Sequence, residues 1–289
     1  RLNSDGTRDT SFSIGTGFSS YVRSIAIQSD GKILVGGGFT DYNGTTQNAI
    51  TRLNSDGTRD TSFNIGSGFT GAGGSVLSIA IQSDGKILVG GNFTSYNGTA
   101  QGCMTRLNSD GTRDTGFNTG FNSIVYSIAI QSDGKIVVGG EFTNYYGITQ
   151  NYITRLNSDS TRDTGFNIGT AFDNIVRSIA IQSDGKIVVG GSFSTYNGTG
   201  QNNITRLNSD GTRDTSFNIG TGANDWIYFI GIQNDGKILI GGNLISYNSV
   251  TTPINYITRL NSDGTRDISF SGAQAASNGN DAGGGGGGG

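Results

Sequence analysis

The segment R-L-N-S-D-G-T-R-D-T-S-F at residues 1–12 returns almost unchanged at Arg52, Arg106, Arg155, Arg206 and Arg259, at spacings of 51, 54, 49, 51 and 53 residues. Between these copies lies a second repeated block, S-I-A-I-Q-S-D-G-K-I-L-V-G-G from Ser24 to Gly37 in its first occurrence. A period of this length is the signature of a stacked or radial repeat architecture, in which each unit buries its apolar face only against its neighbours. The 289 residues therefore form one array rather than two unlike domains.

Within a unit the pattern is that of strands divided by glycine turns. In the second unit V-L-S-I-A-I-Q at 76–82 reads as a first strand, Ser83-Asp84-Gly85 as a tight turn, and K-I-L-V-G-G-N-F-T from Lys86 as a second strand. An Asp-Gly pair between β-rich runs marks a hairpin, because glycine takes φ > 0 without a steric cost. M-T-R-L-N at 104–108 is the expected third strand, and T-R-D-T-G-F after another Ser-Asp-Gly turn is the expected short fourth. No stretch shows a helical period. The second strand is apolar on both faces (Ile33 and Val35 alternate with Leu34 and Gly36), so its sheet is covered on both sides. Face-to-face blades around an axis satisfy this. A β-helix needs a shorter repeat, and helical solenoids need helices. The Gly-Gly pairs, such as Gly36-Gly37 and Gly139-Gly140, allow close approach where blades converge. The expected fold is all-β, a β-propeller of four-stranded antiparallel blades over residues 1–270, with units beginning near 1, 52, 106, 155, 206 and 259.

Length changes fall in two places, before the first strand and between the Gly-Gly pair and I-T-R, which marks both as surface loops. Residues 1–12 are the last two strands of a unit whose first two are missing. The chain begins at Arg1, inside a repeat, and reads as a processed or partial stretch of something longer. Residues 271–289 end in seven glycines, as a linker would, or they supply inner strands that close a sixth blade on residues 1–20. Six blades with split closure are preferred to five.

The blocks V-x-S-I-A-I-Q-S-D-G-K-I-L-V-G-G-x-F and I-T-R-L-N-S-D-G-T-R-D-T-S-F together resemble the bacterial delta-sixty tandem-repeat family of β-propellers. The resemblance covers residues 1–270, with units here shorter than that family's. It implies a part of a large secreted, surface-attached or phage-encoded protein, and it carries over no catalytic residue.

Composition limits the chemistry. There is no histidine, and the net charge is −3. Glu141 is the single glutamate and Cys103 the single cysteine, so no disulfide can form within the chain. Nearly every arginine falls in T-R-L-N or T-R-D, interspersed with aspartate, which gives neither a nucleic-acid footprint nor a basic membrane face. No apolar run is long enough to insert into a membrane. Neither a proton shuttle nor a nucleophile with its base is visible, so no enzyme, cofactor or metal is expected. The N-S-D-G-T-R-D loops echo the start of a calcium loop, but they lack its distal bidentate glutamate and read as plain turns. The Arg-Asp pairs (Arg8-Asp9 through Arg266-Asp267) recur in every unit, which suits packing between repeats, each aspartate capping a turn or pairing with the T-R-L-N arginine.

The candidate binding residues are a ring of loop tyrosines and asparagines: Tyr42, Asn43, Tyr96, Asn97, Tyr145, Tyr196, Asn197 and Tyr247. Such groups offer flat apolar faces with hydrogen-bonding edges, suited to a glycan or protein surface. Alternatively each tyrosine packs over its own hairpin. Trp226 joins them because it breaks the unit pattern, in a fifth unit that also carries Leu244 for phenylalanine and Pro253 in a longer loop. Asn43, Asn92, Asn97, Asn197 and Asn203 begin N-x-S/T sequons, which chance explains in a chain this rich in Asn and Thr. The expected function is a non-enzymatic interaction or adhesion module of an extracellular, cell-surface or virion-surface assembly, binding through its loop rim. A structural scaffold packing against sister subunits is the alternative, and an Asp-based hydrolase or lyase ranks below both.

Overall fold

The computed structural model describes residues 1–249, 254 and 256–270. Among these residues every regular element is a strand, and no helix is long and apolar enough to cross a membrane. Five antiparallel sheets follow one another along the chain, each ordered inner–middle–third. The inner strands are Val22–Ile27, Ser75–Ile81, Val125–Ile130, Val176–Ile181 and Ile227–Ile232. The middle strands are Ile33–Gly37, Ile87–Asn92, Ile136–Gly140, Ile187–Gly191 and Ile238–Gly242. The third strands are Ile50–Leu53, Met104–Leu107, Ile153–Leu156, Ile204–Leu207 and Ile257–Leu260. These are propeller blades. The expected fourth strand is reduced to one bridge per blade, such as Leu107 with Arg113, because the Ser-Asp-Gly turn leaves only one residue in register before Asp114 turns the chain again. Each inner–middle hairpin closes as the sequence indicates, with Gly31 at φ +81° and the Asp30 carboxylate accepting from the Lys32 amide.

Consecutive inner strands pack against one another, so they surround a common axis. The serine of each inner strand links it to the next: Ser24, Ser78, Ser127 and Ser178 accept from the amides of Ile79, Ile128, Ile179 and Ile230, each at 3.0 Å. The two glycines of each pair have separate tasks. A Cβ on Gly139 would stand 2.4 Å from Val176 Cγ1 and 2.8 Å from Ile179 Cδ1 of the following blade, so its bareness lets that blade dock. A Cβ on Gly140 would stand 2.2 Å from the Ile124 carbonyl oxygen of its own blade, where the inner strand bulges.

Outer ties repeat as regularly. In the second blade Asp114 accepts from Lys86 Nζ at 2.9 Å and Arg106 Nε at 2.8 Å, and Arg106 Nη1 donates to the Ser158 carbonyl of the next blade at 2.6 Å. Burial alone would raise these carboxyls. Hydrogen bonds from Lys32 and Ser62 outweigh it at Asp60 and hold it well below the usual carboxylate range. Residues 1–12 reproduce the outer half of a blade: Leu2 bridges Arg8, and Arg1 donates to the Ser55 carbonyl at 2.8 Å as Arg106 does to Ser158.

The two end faces differ from the internal ones. Ile25 is 63% exposed, whereas its counterparts Ile79, Ile128, Ile179 and Ile230 lie between 6% and 9%. Gly241, the docking glycine of the fifth blade, meets among described residues only the Tyr256 carbonyl, at 3.7 Å. Phe229 stands there in place of the linking serine. The proposed closure by residues 271–289, and Pro253, lie outside the described residues.

Candidate functional site

The tyrosine ring of the loops is a packing feature. Tyr42, Tyr96, Tyr145, Tyr196 and Tyr247 are 1–2% exposed. Each hydroxyl donates to a backbone carbonyl of the following Ser-Asp-Gly/Ser turn: Tyr42 to Gly57, and at 2.5, 2.5, 2.5 and 2.7 Å Tyr96 to Gly111, Tyr145 to Ser160, Tyr196 to Gly211 and Tyr247 to Gly264. Phe69 and Phe93 stack in series with Tyr96, at 4.5 Å from Phe69 to Tyr96 and 4.3 Å from Phe69 to Phe93. Burial pushes Tyr96, Tyr145, Tyr196 and Tyr247 well above the ordinary phenol range. With both ring faces covered, these tyrosines offer nothing to a ligand, which corrects the rim reading for them. Asn43, Asn97 and Asn197 are exposed but occupied. At φ 49°, 45° and 48° they sit in the left-handed region, and their side-chain oxygens accept from the amides of Thr16, Ser67 and Thr170. Asn248 does the same for Thr221.

The aspartate loops are likewise engaged. Asp56 Oδ1 accepts from both the amide and the hydroxyl of Thr58, at 2.9 and 2.7 Å, and the same turn recurs at Asp5, Asp110, Asp159, Asp210 and Asp263. Cys103 is buried at φ 58°, in a position where Ala49, Tyr152 and Asn203 take the same left-handed conformation. Burial pushes its thiol up, away from a reactive thiolate.

What the structure does bring together is a set of residues that the sequence left unremarked. Every inner strand has a β-bulge near its start, between Val22 and Ser24, Val76 and Ser78, Val125 and Ser127, Val176 and Ser178, and Ile227 and Phe229. A bulge leaves one residue unpaired and re-aims its side chain. The five bulge residues are Arg23, Leu77, Tyr126, Arg177 and Tyr228, and together they line a single cavity of about 480 Å³ at the axis. Cavities of this size hold small molecules.

Two cations face this cavity. Arg177 lies over three rings, 5.1 Å from Tyr126, 5.1 Å from Trp226 and 5.3 Å from Tyr228, and its Nε is buried without a hydrogen-bond partner. Arg23 lies 5.1 Å over Tyr21. Among the described residues neither guanidinium has an ion-pair or hydrogen-bond partner, whereas every T-R-L-N arginine meets an aspartate. Trp226, 43% exposed, is the one expected site residue that touches a residue of this cavity, through Arg177. A signal was present: Arg23 and Arg177 are the arginines outside the fixed repeat positions.

Comparison with known proteins places the fold. The chain matches no curated protein. Among solved structures it is similar to a chain of the "Mitotic Checkpoint Complex", at 16% identity and TM-score 0.56, over 92% of this chain and 69% of that one. It is similar to the "WD40 beta propeller domain of Doa1", at 17% identity and TM-score 0.52, over 83% and 71%. A third likeness is to virginiamycin B lyase from Staphylococcus aureus, at 19% identity and TM-score 0.50, over 86% and 70%. At such identities these likenesses speak for the β-propeller fold alone. The profile of one family matches five times, over residues 28–63, 82–117, 131–166, 182–217 and 233–270, which together make up more than half of the chain. The chain belongs to the family described as "Domain of unknown function (DUF5122) beta-propeller".

Proposed function

We propose that this propeller is a non-enzymatic interaction module that takes its ligand at the axial cavity rather than on the loop rim. The observation that carries the reading is the convergence of all five bulge residues on one cavity, although they differ in identity from blade to blade. Repeated positions support packing between blades; a position that varies while keeping the same special geometry is free to build a unique site. The cavity is lined by two arginines, two tyrosines and a leucine, with no carboxylate or histidine to act as a general base. That lining favours binding over turnover, even though one similar propeller is a lyase by name. The narrower resemblance to delta-sixty repeats supports a setting on a cell surface, virion or secreted assembly, with a glycan or protein segment as partner.

The test is binding of neutral and acidic glycans and short peptides to the immobilised chain, compared with a Leu77→Trp variant whose indole fills the cavity. Ligands of the wild type should weaken by about tenfold or more in the variant, the loss of roughly one well-made contact. Ligands that bind both proteins alike would return the site to the rim.

The scaffold reading has its own observation. Ile25 at 63% and Ile27 at 72% exposure on the first blade, and Phe229 at 56% on the fifth, are apolar faces that suit a further blade or a sister subunit. Sedimentation showing self-association, together with no ligand for the cavity, would favour it.

A further inference from the structure

We propose that the axial cavity is an oxyanion site, in which the guanidinium groups of Arg23 and Arg177 take one carboxylate or phosphate group of a small ligand. This rests on the cavity being the binding site, and it names what binds there.

Arg177 is the more constrained of the two cations. A guanidinium stays charged at any pH a protein survives, so it cannot escape burial by losing its proton. Here its Nε is shut off from water and has no acceptor, and among the described residues no carboxylate pairs with the group. Three aromatic rings hold it from Tyr126, Trp226 and Tyr228 on the third and fifth blades. Aromatic faces attract a cation, but they accept none of its directed N–H bonds. The rings therefore fix where the group points and leave its donors free. Arg23, on the first blade, brings a second unpaired guanidinium to the same cavity.

The arginines of the T-R-L-N positions are each neutralised by a dedicated aspartate. Arg52, Arg106, Arg155, Arg206 and Arg259 each donate Nε to an aspartate at 2.7–2.8 Å. The two axial arginines lack that partner, and both line the axial cavity. A planar guanidinium fork matches the paired oxygens of a carboxylate or phosphate, two such groups line this one cavity, and each bond made there is charge-assisted. The cavity exceeds a bare ion, so the oxyanion belongs to a larger molecule whose body fills the rest, against Leu77 and the tyrosines.

The experiment is calorimetric and thermal-shift titration of the chain with D-glucuronate, inorganic phosphate and D-glucose. The proteins are the wild type and the Arg23→Gln, Arg177→Gln and Arg177→Lys variants. Glucuronate or phosphate should bind the wild type and raise its Tm, where glucose does not. Each glutamine variant should lose about tenfold or more in affinity, with lysine intermediate because it keeps the charge but not the fork. Preference for glucuronate assigns an acidic sugar, and preference for phosphate a phosphorylated ligand. Arg23 is exposed, so Arg23→Gln tests the site even if Arg177→Gln perturbs folding. Anions that bind no better than glucose, or that bind both glutamine variants as they bind the wild type, would overturn the proposal. Neutral glycans blocked by Leu77→Trp but indifferent to both arginine changes would overturn it while leaving the cavity as the binding site.

Discussion

Replacing Asp114 by alanine tests the blade-to-blade ties. Its Oδ2 accepts from Lys86 Nζ at 2.9 Å and Arg106 Nε at 2.8 Å, and its Oδ1 accepts from the Gly116 amide at 3.0 Å. Arg106 is 8% exposed, stacked 4.4 Å over Phe117 and bonded to the Ser158 carbonyl of the next blade, so it cannot rehydrate without loosening that contact. Deleting one partner of a buried pair costs about 3–5 kcal/mol. Lys86 is partly exposed and can return to water, which sets the expectation near the lower bound, about 3 kcal/mol at pH 7. The carboxyl gives a second measure. Burial would raise it, but Lys86, the Gly116 amide and Arg106 together lower it from 3.8 to about 2. That shift corresponds to about 2 kcal/mol of preference for the charged form. Because the folded-state value is depressed, this stability is present above about pH 4 and is lost as pH falls through about 2. Urea denaturation followed by far-UV circular dichroism should therefore show a gap between wild type and variant of about 3 kcal/mol at pH 7, shrinking to about 1 kcal/mol near pH 2. A gap below about 1 kcal/mol at pH 7, or one that does not change with pH, would refute the reasoning.

The remaining expectations use the repeats as internal controls. Gly139→Ala should lower stability by about 1–3 kcal/mol, because its Cβ would stand 2.4 Å from Val176 Cγ1, while Gly241→Ala should be nearly silent. Equal effects in thermal melts would refute the docking role of the first glycine. Ser127→Ala removes the acceptor of the Ile179 amide, and a loss of about 1–3 kcal/mol is expected, read as a lower urea midpoint. Tyr196→Phe should cost about 1 kcal/mol through the unmet Gly211 carbonyl, and Tyr196→Ala about 3–5 kcal/mol. Neither change should alter binding of any ligand whose affinity Leu77→Trp reduces. A tyrosine variant that folds normally yet loses such a ligand would restore the rim site.

The architecture was legible because each blade meets the same surroundings, so selection for packing wrote the same residues into every unit. Asp-Gly turns, doubly apolar middle strands and Gly-Gly pairs all follow from local rules, and the fold realises them with the fourth strand shortened to a bridge. The tyrosines misled for the same reason. A Tyr-Asn-Gly loop read one unit at a time looks like an exposed polar rim, but the acceptor that buries the hydroxyl lies on a separate turn, 15 residues on from Tyr96 at Gly111. Only tertiary structure joins the two. The axial site was hidden by a different logic. A bulge has no sequence signature in V-x-S-I-A-I, and its variable residue reads as noise until five of them are seen to face one cavity. On a pseudo-symmetric scaffold, a residue present in every unit has a role that every unit shares, and that role is cohesion. A unique ligand must be met by residues that break the symmetry. Arg23 and Arg177 break it in charge, Tyr126 and Tyr228 in shape, and Phe229 replaces the linking serine where the fifth blade's outward face begins. On the proposed reading, the departures from the repeat, rather than the repeat itself, carry the information about the ligand.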